Sequence, residues 1–275
     1  MKRLSLIFLL LLAACGDHKP PAWLGYGEGD YSLIGAPQPG WVTHLAVQRG
    51  QPVKRGDFLF SLDNTHETAV RDQAAANLAQ AKAELAQEQA NNAYTQTELK
   101  RQTGLANARA GVPSTFDSTL AAFRESQAHI DQLEGQIRQM EGALTDAQYQ
   151  LSQRHIVSQV DGQVQDIYFF QGEYAPASTP VVSVLPPANV FVRFFVPESE
   201  FAHVKLGQNV AISCDGCAAN LTAKITFIAQ QEEFTPPVIF SLDSRQKLVF
   251  KLEARAPGGL KLNPGEPVEV RPLGT

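Results

Sequence analysis

The sequence predicts an α+β protein. A β domain made of two repeated halves is split by a long antiparallel coiled-coil hairpin and followed by a small antiparallel β-barrel. Three observations predict it: a sustained heptad repeat over residues 64–154, a duplicated glycine-punctuated strand motif on either side of it, and alternating strands after Leu185.

The second arm of the hairpin carries the cleaner heptad signal. Phe116, Phe123, Ile130, Ile137, Leu144 and Leu151 recur every seven residues, and Leu133, Met140 and Ala147 repeat at the complementary offset, giving an a/d seam. The first arm answers with Leu78, Leu85 and Leu99 among many alanines, with Asn92 interrupting the row. Gly104, Gly111 and Pro113 are the strong breakers between the arms. Arms of roughly 40 residues would reach roughly 60 Å, longer than ordinary globular helices run. Two core helices of a bundle are the alternative, disfavoured by the Gln, Asn and charged residues at the other positions.

The flanks repeat each other. Setting Gly40 on Gly162 also sets Val42 on Val164, Leu45 on Ile167 and Gly50 on Gly172. After Leu185, Val190, Val192, Phe194 and Val196 alternate with their neighbours, as do Leu221, Ala223, Ile225 and Phe227, then Leu248, Phe250 and Leu252. Turn residues at Pro197, Gly207, Asp215-Gly216 and Pro264-Gly265 separate these runs, the spacing of a small barrel.

These features together resemble a known family. The two half-motifs look like the halves of a lipoyl/biotinyl-like β-sandwich. A sandwich split by a helical hairpin resembles the HlyD-type membrane fusion proteins, the periplasmic adaptors of bacterial efflux and secretion systems. GYGEGDYSLIGA (25–36) is similar to the lead-in strand of the adaptors linked to ABC transporters. VRFFVPE (192–198), GQNV (207–210) and TPPVIFSLDSRQKLVFKLEA (235–254) resemble the adaptor β-barrel, and the last points to the same ABC-linked branch. The chain stops soon after this barrel, so the additional membrane-proximal domain of larger adaptors is expected to be absent or vestigial.

The expected organisation is a lipoprotein signal peptide at 1–14, a membrane tether at 15–24 and the first sandwich half at 25–63. The hairpin follows at 64–154, the second sandwich half at 155–186 and the barrel at 187–275. Lys2 and Arg3 precede the apolar run Leu4 to Leu12, and Leu12-Ala13-Ala14-Cys15 fits a lipobox, with Cys15 as the lipid-attachment site. An ordinary signal peptide or uncleaved anchor is the alternative. Two or three acyl chains hold a protein on a membrane stably where one does not. In lipoproteins of this kind an acidic residue directly after the cysteine favours the inner membrane. Here Asp17 stands one place late, so inner-membrane sorting is favoured over outer without being decided. Cleavage leaves 21 basic residues against 28 acidic ones, a formal charge of −7. With no basic run, nucleic acid is not an expected partner.

Catalytic signals are absent from the sequence. Lipoyl and biotinyl carriers modify a lysine at the turn joining the halves, but the junctions here read Leu62-Asp63-Asn64 and Arg154-His155-Ile156. The histidines are scattered, and neither a Ser/His/Asp signature, a metal-ligand set nor a cofactor motif is readable. Cys214-Asp215-Gly216-Cys217 spans a turn and favours a local disulfide. Two free thiols are one alternative. Metal or redox work is the other, and a zinc site would need two further ligands.

The resemblance also implies contacts. Adaptors that dock on TolC-like outer-membrane channels carry at the hairpin tip an Arg, a Leu four residues on and a Ser seven beyond. Arg101 and Leu105 match, the Ser position is Val112, and Ser114 lies nearby. On the second arm, Ala121, Ala128, Gly135 and Gly142 occupy successive f positions, a smooth stripe suited to packing a neighbouring protomer's hairpin. The expected protein is a non-enzymatic homo-oligomeric ring. Its partners are the permease and ATPase of an inner-membrane ABC transporter and a TolC-like channel. A proton-driven pump adaptor and an envelope-spacing coiled-coil lipoprotein are the alternatives.

Overall fold

The computed structural model describes residues 22–218, 220–234 and 248–273. Cys15 with the expected signal peptide, and much of the 235–254 stretch, lie outside the described residues. The chain opens with β1 (Trp23–Gly29) and β2 (Ser32–Gly35), followed by β3 (Gly40–Leu45), β4 (Pro52–Val53) and β5 (Phe58–Leu62). Helices α1 (Thr65–Asn107) and α2 (Pro113–Ser152) come next, then β6 (His155–Val157), β7 (Gly162–Ile167), β8 (Tyr174–Ala175) and β9 (Pro180–Leu185). A 3-10 turn at Pro187–Asn189 leads into β10 (Val190–Pro197) and the short α3 (Glu198–Phe201). The chain continues as β11 (Asn209–Ser213), β12 (Leu221–Phe234), β13 (Leu248–Arg255) and β14 (Pro267–Pro272).

The internal repeat builds a sandwich of two four-stranded sheets, ordered β2-β9-β7-β4 and β6-β5-β3-β8. Each half sends its shortest strand to the other half's sheet: β4 pairs with β7, and β8 with β3. The hydrogen bonds repeat with the sequence. Gly50 N donates to Val164 O as Gly172 N donates to Val42 O, both at 2.8 Å, and Val164 N donates to Gln51 O as Val42 N donates to Glu173 O, both at 2.9 Å. Gly50 and Gly172 hold φ of 82° and 90°, a left-handed turn that glycine adopts without steric cost. Val42, Leu59, Phe60, Leu62, Val164, Val181, Val182 and Val184 fill the space between the sheets.

The hairpin leaves this sandwich after β5 and returns at β6. Ile130, Leu133, Ile137 and Ala147 of α2 and Leu78 and Ala81 of α1 are buried, and Leu78, Ala81 and Ile137 form one cluster with Leu85, Met140 and Leu144 packed around it. Small alanines on α1 let the larger residues of α2 fill the seam. Toward the tip the same rows hold Asn92, Thr95 and Gln102, and burial becomes partial. Among the described residues, no helix is long and apolar enough to cross a membrane.

The barrel closes in the order β1-β10-β13-β12-β11-β14. This corrects two expected boundaries. Residues 15–24 are not all tether and 25–63 are not all sandwich, because β1 is a barrel strand pairing with β10 and β14. Trp23 explains the placement: it is buried, stacks on Phe194 at 5.7 Å between ring centres, and its indole N–H donates to Glu200 Oε2 at 2.6 Å. A side chain at Gly25 would collide with the Arg193 carbonyl and Phe194, and one at Gly27 with the Asn263 carbonyl, so only a glycine-rich strand fits this gap. Bulges in β12 bend it around the core, as closure of so small a barrel requires. Across β1, β10 and β13, Arg193 bridges Glu28 at 2.6 Å and Glu253 at 2.7 Å, tying the three strands on their outer face.

Candidate functional site

The hairpin tip is a built turn. α1 ends in a Schellman pattern: Ala110 N donates to Leu105 O and Arg109 N to Ala106 O, with Arg109 in the left-handed region at φ 55°. Gly104 therefore lies inside α1 instead of breaking it. Pro113 stands at the first position of α2, where its missing N–H costs nothing. Of the expected tip residues, Arg101 is 68% exposed and held by Glu98 one turn below at 2.5 Å. The bonds from Arg101 and Gln102 keep the Glu98 carboxyl below the usual carboxylate range. Leu105 and Ser114 are exposed, and Val112 is 61% exposed. The tip thus presents Leu105 and Val112 as an apolar pair over a neutralised Arg–Glu turn.

Two polar pairs sit inside the seam, and sequence reading missed both. Heptad arithmetic could have found them. Glu67, Ala74, Ala81 and Glu88 form one row of α1, while Ser126, Leu133, Met140 and Ala147 form the facing row of α2, continued at the same spacing by Arg154 just past the helix end. At the base, Arg154 binds the Glu67 carboxylate at 2.5 Å, with side chains only 12% and 10% exposed. Arg154 Nη1 also donates to Pro39 O at 2.8 Å, so the pair fastens both helices to the sandwich. Midway out, Glu88 Oε1 accepts from Ser126 Oγ at 2.6 Å and from Asn91 at 3.0 Å, and His129 Nδ1 lies 3.3 Å from Oε2. Ser126, Asn91 and His129 together hold the Glu88 carboxyl below its ordinary range. Because Ser126 donates to Glu88 and not to His129, the three do not form a nucleophile–base–acid relay. Polar groups in a coiled-coil seam fix register at a cost in stability.

Ala121, Ala128 and Gly142 are exposed on the back of α2, and Gly135 is half-buried. A side chain at Gly142 would meet open space, and one at Gly135 only the Arg138 guanidinium. The sandwich offers lateral surface as well. β2 and β6 are the edge strands on one side, each paired along one edge only, and exposed Trp41 packs edge-on against Tyr174 on the opposite β8 side.

At one end of the barrel, Cys214 and Cys217 flank a turn closed by Cys217 N donating to Cys214 O, with Gly216 at φ 88°. They are joined as a disulfide, with Cα atoms 5.3 Å apart. The fold brings Glu266, some fifty residues on in the sequence, against them: its Oε1 lies 3.2 Å from Cys214 Sγ and 3.7 Å from Cys217 Sγ. No local motif could have shown this neighbour.

No family model matches the chain. It is similar to a "UPF0194 membrane protein" of Acidithiobacillus ferridurans, 26% identical over 257 aligned positions that cover 79% of this chain and 76% of the relative. Among solved structures it resembles MacA from Actinobacillus actinomycetemcomitans, with TM-score 0.71 and 21% identity over 93% of this chain and 79% of that one. It also resembles the membrane fusion protein Spr0693 from Streptococcus pneumoniae, with TM-score 0.58 and 15% identity over 93% and 99%. The chain shares the fold of these two solved structures, as the split repeat and the hairpin led one to expect.

Proposed function

We propose that this chain is a lipid-anchored periplasmic adaptor. It links an inner-membrane ABC transporter, permease and ATPase, to a TolC-like outer-membrane channel. One observation carries the reading: a coiled-coil hairpin is inserted into a two-halved sandwich, and the first and last described strands, β1 and β14, pair to close a separate barrel. No covalent chemistry is needed of such an object. Its work is to hold a fixed distance and to offer three surfaces, one at each end and one along the side.

The barrel and the acylated Cys15 face the inner membrane in this reading, while the tip, with Leu105 and Val112 exposed, faces outward. The unpaired edges of the sandwich and the small-residue back of α2 supply side-by-side contacts for a homo-oligomeric ring. Transport energy comes from the ATPase partner, and the adaptor contributes geometry.

Photo-cross-linking in intact cells tests the reading. A photoreactive residue at Leu105 or Val112 is expected to trap an outer-membrane channel protein, and one on the barrel an inner-membrane permease. Cross-links confined to copies of this chain, with neither membrane partner trapped, would overturn it.

A further inference from the structure

The barrel end holds a chemical arrangement that an adaptor role leaves unused. Cys214, Cys217 and Glu266 present two sulfurs and a carboxylate oxygen within 4.8 Å of one another, all half-buried. Glu266 is fixed in this pose. Its Oε2 accepts from Asn263 N at 2.9 Å and from Asn263 Nδ2 at 3.3 Å, its backbone N donates to Asn263 O, and its carbonyl accepts from Gly27 N. Oε1 is thereby left free and aimed at the sulfurs.

A disulfide sulfur has no proton to donate, so in the oxidised pair that carboxylate oxygen faces the sulfurs without a hydrogen bond. In the reduced pair two thiols can donate to it. Two thiolates beside it would place three negative charges within 4.8 Å, which is tolerable only with a cation among them. We propose that Cys214, Cys217 and Glu266 form a thiolate–carboxylate site for a zinc-like divalent cation, open to metal only when the Cys214–Cys217 disulfide is reduced.

The chemistry supports that assignment. A C-x-x-C turn with Cα atoms 5.3 Å apart suits two sulfur ligands on one metal as well as it suits a disulfide. Two soft sulfurs select zinc-like over magnesium- or calcium-like ions. The Asn263 bonds do for Glu266 what outer partners do for metal-bound carboxylates, fixing orientation and basicity. Half-burial leaves a fourth, tetrahedral position for water. Opening the site takes two electrons and two protons from a dithiol reductant, which becomes a disulfide. Metal entry then releases the two thiol protons to solvent.

The test uses the full chain in detergent with Cys15→Ser, which leaves Cys214 and Cys217 as the only thiols. After reduction by a small dithiol and removal of the excess, Co2+ is titrated and then displaced by Zn2+. The expected result is one Co2+ per chain with a thiolate-to-cobalt charge-transfer band that Zn2+ abolishes, and neither uptake nor band in the oxidised chain. Glu266→Gln is expected to keep the band while weakening affinity at least tenfold, and Cys214→Ser with Cys217→Ser to remove the band from a chain still folded by circular dichroism. Three results would each overturn the proposal: a disulfide that resists the dithiol in the folded protein, a reduced chain that takes up no cobalt, or unchanged affinity in Glu266→Gln. The oxidised and reduced comparison needs no substitution at the site, so a variant that failed to fold would not shelter the idea.

Discussion

Removing either partner of the Glu67–Arg154 pair should loosen the base of the hairpin by several kcal/mol, while removing both should not. The two groups meet at 2.5 Å with side chains 10% and 12% exposed, and Arg154 also caps the Pro39 carbonyl. Truncating one member of a buried ion pair typically costs about 3–5 kcal/mol, because the other charge is left desolvated. The residual exposure lets some water in, which argues for the lower end, about 3 kcal/mol. Arg154→Leu should reach that figure, since it strands the Glu67 carboxylate and leaves Pro39 O without its donor. Glu67→Leu should come close. The double replacement puts two aliphatic side chains in the same space, where a buried pair roughly breaks even with apolar substitutes, so its cost should fall to about 1 kcal/mol. Amide exchange reads this locally, which suits a chain of several units with no single unfolding step. Leu62 N donates to Arg154 O at 2.9 Å and Thr68 N to Asn64 O at 2.9 Å, so both amides report on the base. A loss of about 3 kcal/mol should speed their exchange about a hundredfold in either single variant, with most of the protection restored in the double. Single variants within threefold of the unmodified chain, or a double variant as exposed as the two losses added, would refute the clamp.

Three further outcomes follow from the same geometry. Gly135→Arg with Gly142→Arg should raise the helicity of the isolated chain, since mid-helix glycine costs about 1 kcal/mol relative to alanine, yet abolish cross-linked oligomers and export if the back of α2 packs another protomer. Intact oligomers and export in that variant would rule the stripe out. Glu88 is held below the ordinary carboxylate range by Ser126, Asn91 and His129. Its contribution to hairpin stability should therefore be complete above that range and drain away as pH falls through its lowered folded value, so Glu88→Gln should flatten the acid limb of hairpin melting followed by circular dichroism. Equal acid limbs would contradict this. Cys15→Ala should leave the precursor unacylated and unprocessed by lipoprotein signal peptidase, and mass spectrometry of the mature N-terminus decides it. A free start at any other residue in the unmodified protein would overturn the anchor.

Local periodicity, read from the sequence by itself, determined most of the architecture. Leu133, Ile137 and Met140 stand at heptad offsets that only an α-helix brings to one face, and the structure buries or half-buries all three in the seam. The alignment of Val42 with Val164 and Gly50 with Gly172 foretold paired halves, because equivalent residues meet equivalent partners in the folded sandwich. Tertiary structure alone decided which distant segments meet. Trp23 pairs opposite Val270, a placement hidden because a short glycine-rich strand has the same local pattern in either β domain. Glu67 and Arg154 are charged residues that composition assigns to the surface; they are buried because each is the other's counter-ion across the hairpin base. Glu266 reaches Cys214 and Cys217 only through barrel closure, which sets β11 beside β14. A side chain's own neighbours in sequence fix its periodicity, whereas the partner that neutralises or ligates it is chosen by the closure of a sheet or a seam far along the chain.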